Sequence, residues 1–79
     1  MVWIRWLDPD VGDQVQEMLP ADAVDFILDR KKKGLVKFGI WEGQNAQLEL
    51  EMATRSGILD ALKEREKQTL RLVPIVGGG

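Results

Sequence analysis

Cysteine and histidine are both absent from this chain of 79 residues. Without cysteine there can be no disulfide, no thiolate metal site and no nucleophilic thiol. Without histidine there can be no Ser-His-Asp triad and no imidazole ligand for a metal. The remaining polar residues form no catalytic constellation. We therefore expect a protein that is not an enzyme and that needs no metal or cofactor.

A strong excess of charge of either sign is missing too, because 11 Lys and Arg stand against 13 Asp and Glu. The chain lacks the basic stripe of a nucleic-acid-binding domain. No apolar run approaches the ~20 residues that cross a bilayer, and the amino terminus lacks the order of regions found in a secretory signal. We expect one small cytoplasmic domain, monomeric, with no nucleic-acid or membrane partner.

Two elements of the first half have clear signatures. Residues 2–7 are β-branched and aromatic and predict a strand, which a turn around Pro9 ends. After Pro20 comes a helical pattern, for which Asp22 is the expected N-cap. A run of cations and then Gly34 end this helix, since cations favour the carboxyl end of the helix dipole and glycine adopts the left-handed conformation there.

The second half reads as a hairpin, a short helix and a last strand. Residues 35–41 and 47–52 alternate between apolar and polar positions around a turn, which predicts the hairpin. We expect Ser56 to cap the short helix after it. The last strand covers residues 69–76, and its pairing should fray at Pro74, which has no N–H to donate.

Residues 14–19 leave two folds open, because the segment is short and weakly patterned. If it is a strand, the chain is an α+β β-grasp protein, with one long helix packed across a mixed sheet and a short second helix. If it is helical, the order becomes βαββαβ, which is the ferredoxin-like plan. Periodicity alone does not choose between the two.

The end of the chain resembles a known family. Residues 66–79, EKQTLRLVPIVGGG, are similar to the end of ubiquitin, where a strand Lys-Glu-Ser-Thr-Leu-His-Leu-Val runs out to Gly-Gly. The positions of Pro20 and Gly34 at the ends of the helix, and the turn IWEGQ at residues 40–44, also resemble ubiquitin. The resemblance covers nearly the whole chain and is weakest over residues 45–64. It implies a β-grasp, ubiquitin-like domain over residues 1–76 and a flexible glycine tail over residues 77–79.

The resemblance also implies a function for the tail. Gly79 would be the residue whose carboxylate an activating enzyme adenylates and then transfers through a thioester to a target amine, forming an isopeptide bond. Gly77 and Gly78 would be the arm that threads the enzyme's channel, since glycine has no Cβ to obstruct it. The implied partners are an adenylating enzyme of the ubiquitin-activating class, a conjugating enzyme, a deubiquitinase-like protease and a target protein.

The arm before the glycines departs from ubiquitin. Where ubiquitin has arginines, residues 74–76 are Pro-Ile-Val. This arm is more similar to sulfur carriers, which end in a thiocarboxylate, and to ubiquitin-like domains of phage tail-assembly proteins, which favours a prokaryotic relative. A sulfur carrier and a non-conjugated assembly domain are therefore alternatives, as is a tail that is only a glycine linker or the stump of a longer chain.

Two groups of residues are candidates for contacts with partners. By alignment, ubiquitin's binding patch corresponds to Ile40, Arg71 and Val73, with Trp3 nearby. Strand parity instead predicts that Ile40 faces the core, unless a bulge at Gly39 reverses it.

The second group is the lysine run Lys31, Lys32 and Lys33, whose members could accept modifiers in chain formation. The simpler interpretation of this run is a solvated helix end that the macrodipole favours.

Overall fold

Five strands and two helices succeed one another in the computed structural model, which describes residues 1–44, 46–50 and 53–74. In chain order they are β1 (Val2–Asp8), β2 (Gly12–Met18), α1 (Pro20–Lys32), β3 (Phe38–Trp41), β4 (Ala46–Glu49), α2 (Arg55–Glu64) and β5 (Thr69–Val73).

The strands form one mixed sheet in the order β2-β1-β5-β3-β4. β1 and β5 are parallel, and the other neighbouring pairs are antiparallel. The longer helix, α1, packs across one face of this sheet. The predicted α+β class and β-grasp arrangement are therefore confirmed, and the ferredoxin-like alternative is wrong, because residues 14–18 lie in β2 and not in a helix.

The turn between β1 and β2 explains why residues 14–18 are extended. The Asp8 Oδ1 atom accepts hydrogen bonds from the backbone N–H groups of Asp10 (2.8 Å) and Val11 (3.2 Å). Gly12 then takes a φ of +85°, which a residue without a Cβ adopts at little cost. The chain thereby reverses its direction directly after Asp8. β2 then pairs with β1 along its whole length, from Asp8 opposite Gly12 to Val2 opposite Met18.

The hydrophobic core lies between the sheet and the two helices. Alternate residues of β1 and β5 point into it, as period-two geometry requires. The buried core residues are Val2, Ile4, Ala23, Val24, Ile27, Val36, Trp41, Leu50, Ile58, Leu62, Leu70 and Leu72.

Both helices begin earlier than the sequence analysis predicts. α1 starts at Pro20, whose fixed φ suits the first helical position, so Asp22 lies in the first turn and is not the N-cap. The N-cap of α2 is Thr54, whose side-chain oxygen accepts a hydrogen bond of 3.1 Å from the Gly57 N–H, so the predicted Ser56 cap is wrong. No helix in the described parts of the chain is long and apolar enough to cross a membrane.

Candidate functional site

The four residues predicted to form a partner-binding surface lie on one face of the sheet, opposite α1. We call this the outer face. Ile40 on β3 is paired with Arg71 on β5, and Phe38 is paired with Val73. Trp3 lies on β1, the other neighbour of β5, and its side chain is 41% exposed. The structure therefore brings Trp3, Ile40, Arg71 and Val73 onto three adjacent strands.

Ile40 faces outward because the residues on either side of it face inward. Gly39 and Trp41 are buried, whereas Ile40 is half-buried. The prediction from parity is wrong because β3 begins only at Phe38, so the alternation does not continue from the buried Val36. No bulge is involved, since the register from Phe38 to Trp41 is continuous.

An ion-pair network occupies the middle of the outer face. On β1, the Arg5 Nη1 atom lies 2.9 Å from Asp13 Oδ2, and its Nε atom lies 2.8 Å from Glu42 Oε1. Arg71 is adjacent to Arg5 in the parallel register and is exposed, and it makes no ion pair within the described chain. The surface thus combines apolar side chains with one cation that is available to a partner.

A cleft opens beside these residues where β1 and β5 separate. Their pairing ends at Arg5 and Arg71, while β5 stays paired with β3 as far as Val73. The resulting cleft has a volume of about 470 Å³, and its walls include Leu7 on β1 and Pro74 after β5. β5 ends at Val73, directly before Pro74, where the sequence predicts that pairing frays. Residues 75 and 76 of the predicted strand lie outside the described residues.

The other two tryptophans belong to the packing and not to the outer face. Trp41 is buried. Trp6 packs edge-on against Phe26 of α1, with 4.7 Å between ring centroids, and the Arg30 guanidinium carbon lies 5.6 Å from the Trp6 ring centroid. Trp3 is therefore the tryptophan that a partner could contact.

The lysine run ends α1 on the other side of the sheet. Lys31 and Lys32 are in its last turn and Lys33 is its C-cap. The Lys33 ammonium nitrogen lies 3.0 Å from Asp29 Oδ2, one helical turn earlier. This geometry agrees with a solvated helix end that favours cations. A role of these lysines as acceptors stays a prediction.

Sequence reasoning missed Arg5, Asp13 and Glu42, which form the network at the centre of the outer face. The parity of β1 does place Arg5 on the same face as Trp3, so its side of the sheet could have been found. Its partners Asp13 and Glu42 could not have been found in this way. Asp13 lies on β2, for which periodicity does not decide between strand and helix, and Glu42 follows the end of β3.

The predicted activation residues Gly77, Gly78 and Gly79 lie outside the described residues. Within those that are described, no three acidic side chains are grouped as a metal site would require. The chain matches no protein-family model, no curated protein and no solved structure.

Proposed function

We propose that the protein is a ubiquitin-like modifier whose Gly79 carboxylate is activated and transferred by other proteins. The observation that carries the proposal is the combination of a β-grasp arrangement with a central last strand, β5, that the sequence continues through a short arm into three glycines. The proposal requires that the functional chain end at Gly79, either as encoded or after a protease has removed any residues beyond it.

The chemistry needs little from the protein except an accessible carboxylate. A Gly79 carboxylate oxygen attacks the α-phosphate of ATP, which releases pyrophosphate and leaves an acyl-adenylate. An enzyme thiolate then displaces AMP to form a thioester, and a target amine displaces the thiol to form an amide. Gly77 and Gly78 assist because the absence of a Cβ lets the backbone approach a narrow channel closely.

The outer face is the surface that we assign to the activating enzyme. Arg71 and Val73 precede the tail on the same strand, so an enzyme holding Gly79 would have this part of the sheet within reach. Ile40 and Trp3 extend the contact area on both sides with aliphatic and aromatic surface. Trp and Arg are enriched among residues that dominate binding energies, and Arg71 has no competing ion pair in the described chain.

The partners in this proposal are an adenylating enzyme, a conjugating enzyme, a protease that exposes the diglycine end and a target protein. The apolar arm that begins at Pro74 differs from ubiquitin's arginine-containing arm. We therefore place the protein in a prokaryotic, cytoplasmic system with its own activating enzyme, and expect a eukaryotic ubiquitin-activating enzyme to use it poorly.

The decisive experiment incubates the chain ending at Gly79 with ATP and candidate adenylating enzymes, and follows the carboxyl terminus by intact mass spectrometry. We expect an adenylate and a thiol-sensitive thioester at Gly79. Gly79→Leu should abolish both products, whereas Gly43→Ala, in a turn away from the tail, should leave the yield unchanged. Equal yields from Gly79→Leu and the unmodified chain would refute the proposal.

A second set of variants tests the outer face separately from the glycine tail. Arg71→Ala and Trp3→Ala should raise the protein concentration needed for half-maximal adenylation, with little change in the maximal rate, because they weaken docking and not the chemistry. Lys33→Ala, on the far side of the sheet, is the matched control.

The same assay separates the alternatives. Replacement of one carboxylate oxygen by sulfur at Gly79 would assign a sulfur carrier, and an amide to a target lysine would assign a modifier. An unmodified chain with every enzyme tested would favour a non-conjugated assembly domain.

A further inference from the structure

The cleft between the separating ends of β1 and β5 has the size and the lining of a small-molecule site. Its volume of about 470 Å³ lies within the range of about 300–1,000 Å³ that is usual for ligand pockets. Leu7, Val73 and Pro74 give it apolar walls. Trp6, which packs on α1, and Leu72, which belongs to the core, also border it, so the cleft extends between the strands from the outer face toward the core.

One residue at this cleft has a buried hydrogen-bond donor without an acceptor. The Trp6 Nε1 atom is buried and makes no hydrogen bond within the described residues. Tryptophan N–H groups usually have a partner when they are buried, since an unpaired donor loses its bonds to water without compensation. The ring is also held in place, because it packs edge-on against Phe26 at 4.7 Å and lies 5.6 Å from the Arg30 guanidinium carbon. The donor is therefore preorganised for an acceptor that enters from the cleft.

The charges around the cleft favour a ligand with a single negative charge. Arg5 and Arg71 both border it, and they are adjacent in the parallel pairing of β1 with β5. Arg5 is neutralised by Asp13 and Glu42, at 2.9 and 2.8 Å. Arg71 makes no ion pair in the part of the chain that the structure describes. One cation is thus left without a counter-charge, beside two carboxylates that would repel a doubly charged anion.

We propose that this cleft binds a small aliphatic carboxylic acid in its ionised form. The carboxylate pairs with the Arg71 guanidinium and accepts a hydrogen bond from the Trp6 Nε1–H group, and the aliphatic part lies against the apolar walls. A guanidinium suits this ligand because two of its parallel N–H groups meet the two oxygens of a carboxylate. The site belongs to the chain alone and does not depend on the activation of Gly79.

Two simpler occupants fit the cleft less well. A water molecule would satisfy the Trp6 N–H group, but it takes up only about 30 Å³ and leaves both Arg71 and the apolar walls without a partner. Inorganic phosphate would reach Arg71, but it carries close to two negative charges near Asp13 and Glu42 and has no apolar part. A carboxylate on a short aliphatic chain uses the cation, the N–H donor and the walls together.

The probe is 4-methylpentanoate, titrated at neutral pH into the ¹⁵N-labelled full chain and followed by amide and indole NMR signals. We expect a saturable downfield shift of the Trp6 indole proton as it gains a charged acceptor, and amide shifts around Leu7 and Val73. The indole proton of Trp41, which is buried in the core, should not move. 4-Methylpentanamide has the same shape without the charge, and it should bind much more weakly, as should inorganic phosphate.

Substitutions on the protein supply the matched test. Arg71→Gln should weaken binding of 4-methylpentanoate roughly 10-fold, since it removes a hydrogen-bonded charge pair. Arg55→Gln removes the same charge on the helix side of the sheet, where Arg55 pairs with Asp25, and should leave the affinity unchanged. Trp6→Phe should weaken binding roughly 3- to 10-fold, since it removes one donor to a charged acceptor. Because Trp6 also packs against α1, the indole shift in the unmodified chain tests the same contact without a substitution.

Three results would overturn the proposal: no saturable shift up to the solubility limit of the acid, equal binding of the acid and its amide, or shifts centred away from the cleft. Shifts produced equally by phosphate would assign the effect to unspecific attraction of anions by Arg71 and would overturn it as well. These measurements use the chain without an activating enzyme, so their failure is distinguishable from a failure of adenylation at Gly79.

Discussion

A single added methyl group at Gly39 tests the packing that turns Ile40 outward. Gly39 lies on the inner face of β3, and a Cβ built there would be 2.6 Å from Leu70 Cδ1 and 3.1 Å from its Cγ. Carbon atoms in favourable contact are about 3.5–4.0 Å apart, so the methyl overlaps Leu70 by roughly 1 Å. Leu70 has no exposed surface, and it pairs with Trp41 on one side and Ile4 on the other, so it has little room to move.

The net effect of Gly39→Ala is the balance of two opposing contributions. Overpacking a core costs about 1–3 kcal/mol, whereas replacing a strand glycine by alanine gains about 0.5–1 kcal/mol through reduced chain entropy. We therefore expect the free energy of unfolding to fall by about 0.5–2 kcal/mol. In a Leu70→Ala background the overlap is absent and the new methyl fills part of the cavity, so the same substitution should be stabilising.

The assay is a double-mutant cycle by urea unfolding, monitored by circular dichroism, with sucrose added equally to all samples if Leu70→Ala is too unstable alone. The expected coupling energy between positions 39 and 70 is about 1–3 kcal/mol. Gly43→Ala is the control, because Gly43 has a φ of +76° and open space where its Cβ would be. It should be destabilising by the same amount in both Leu70 backgrounds. If Gly39→Ala is equally destabilising in both, its cost comes from the backbone and not from contact with Leu70, and the reasoning is wrong.

Two further predictions concern the helix cap and the first turn. Thr54→Ala should lower the free energy of unfolding by about 1 kcal/mol because it removes the acceptor for the Gly57 N–H, whereas Ser56→Ala should change it by less than about 0.5 kcal/mol in the same urea titration; the reverse order would contradict the assignment of the cap. Hydrogen bonds donated to Asp8 by the backbone, chiefly from Asp10, lower the pKa of its carboxyl group. The carboxylate should therefore stabilise the fold above the ordinary aspartate pKa of about 4, and that stabilisation should be lost as the pH falls through the folded-state pKa. Thermal unfolding from about pH 6 to pH 2 should accordingly show the stability difference between the unmodified chain and Asp8→Asn shrinking with acid, and a constant difference would refute this account.

The sequence predicted the strands whose side chains on one face are buried, but it did not decide between strand and helix for the exposed strand β2. The reason is physical. β1 is recognisable from its β-branched and aromatic residues, and β5 carries core residues at every second position, so both segments could be predicted as strands. β2 has no fully buried residue, so its side chains show no clear alternation between apolar and polar positions. What makes it a strand is the turn at Asp8 and Gly12 and the pairing with β1, and these are tertiary and local-backbone effects that residue periodicity does not encode.

Alignment predicted the four residues of the candidate surface, whereas periodicity misplaced one of them, Ile40. Val36 and Ile40 have the same parity, but the chain bends at Lys37 before β3 begins, so parity does not carry across. The position of the cap was missed for a similar reason. Thr54 and Ser56 are both good N-cap residues. Only the starting point of the helix decides for which of them the N–H three residues ahead lies in the first turn and has no acceptor within the helix.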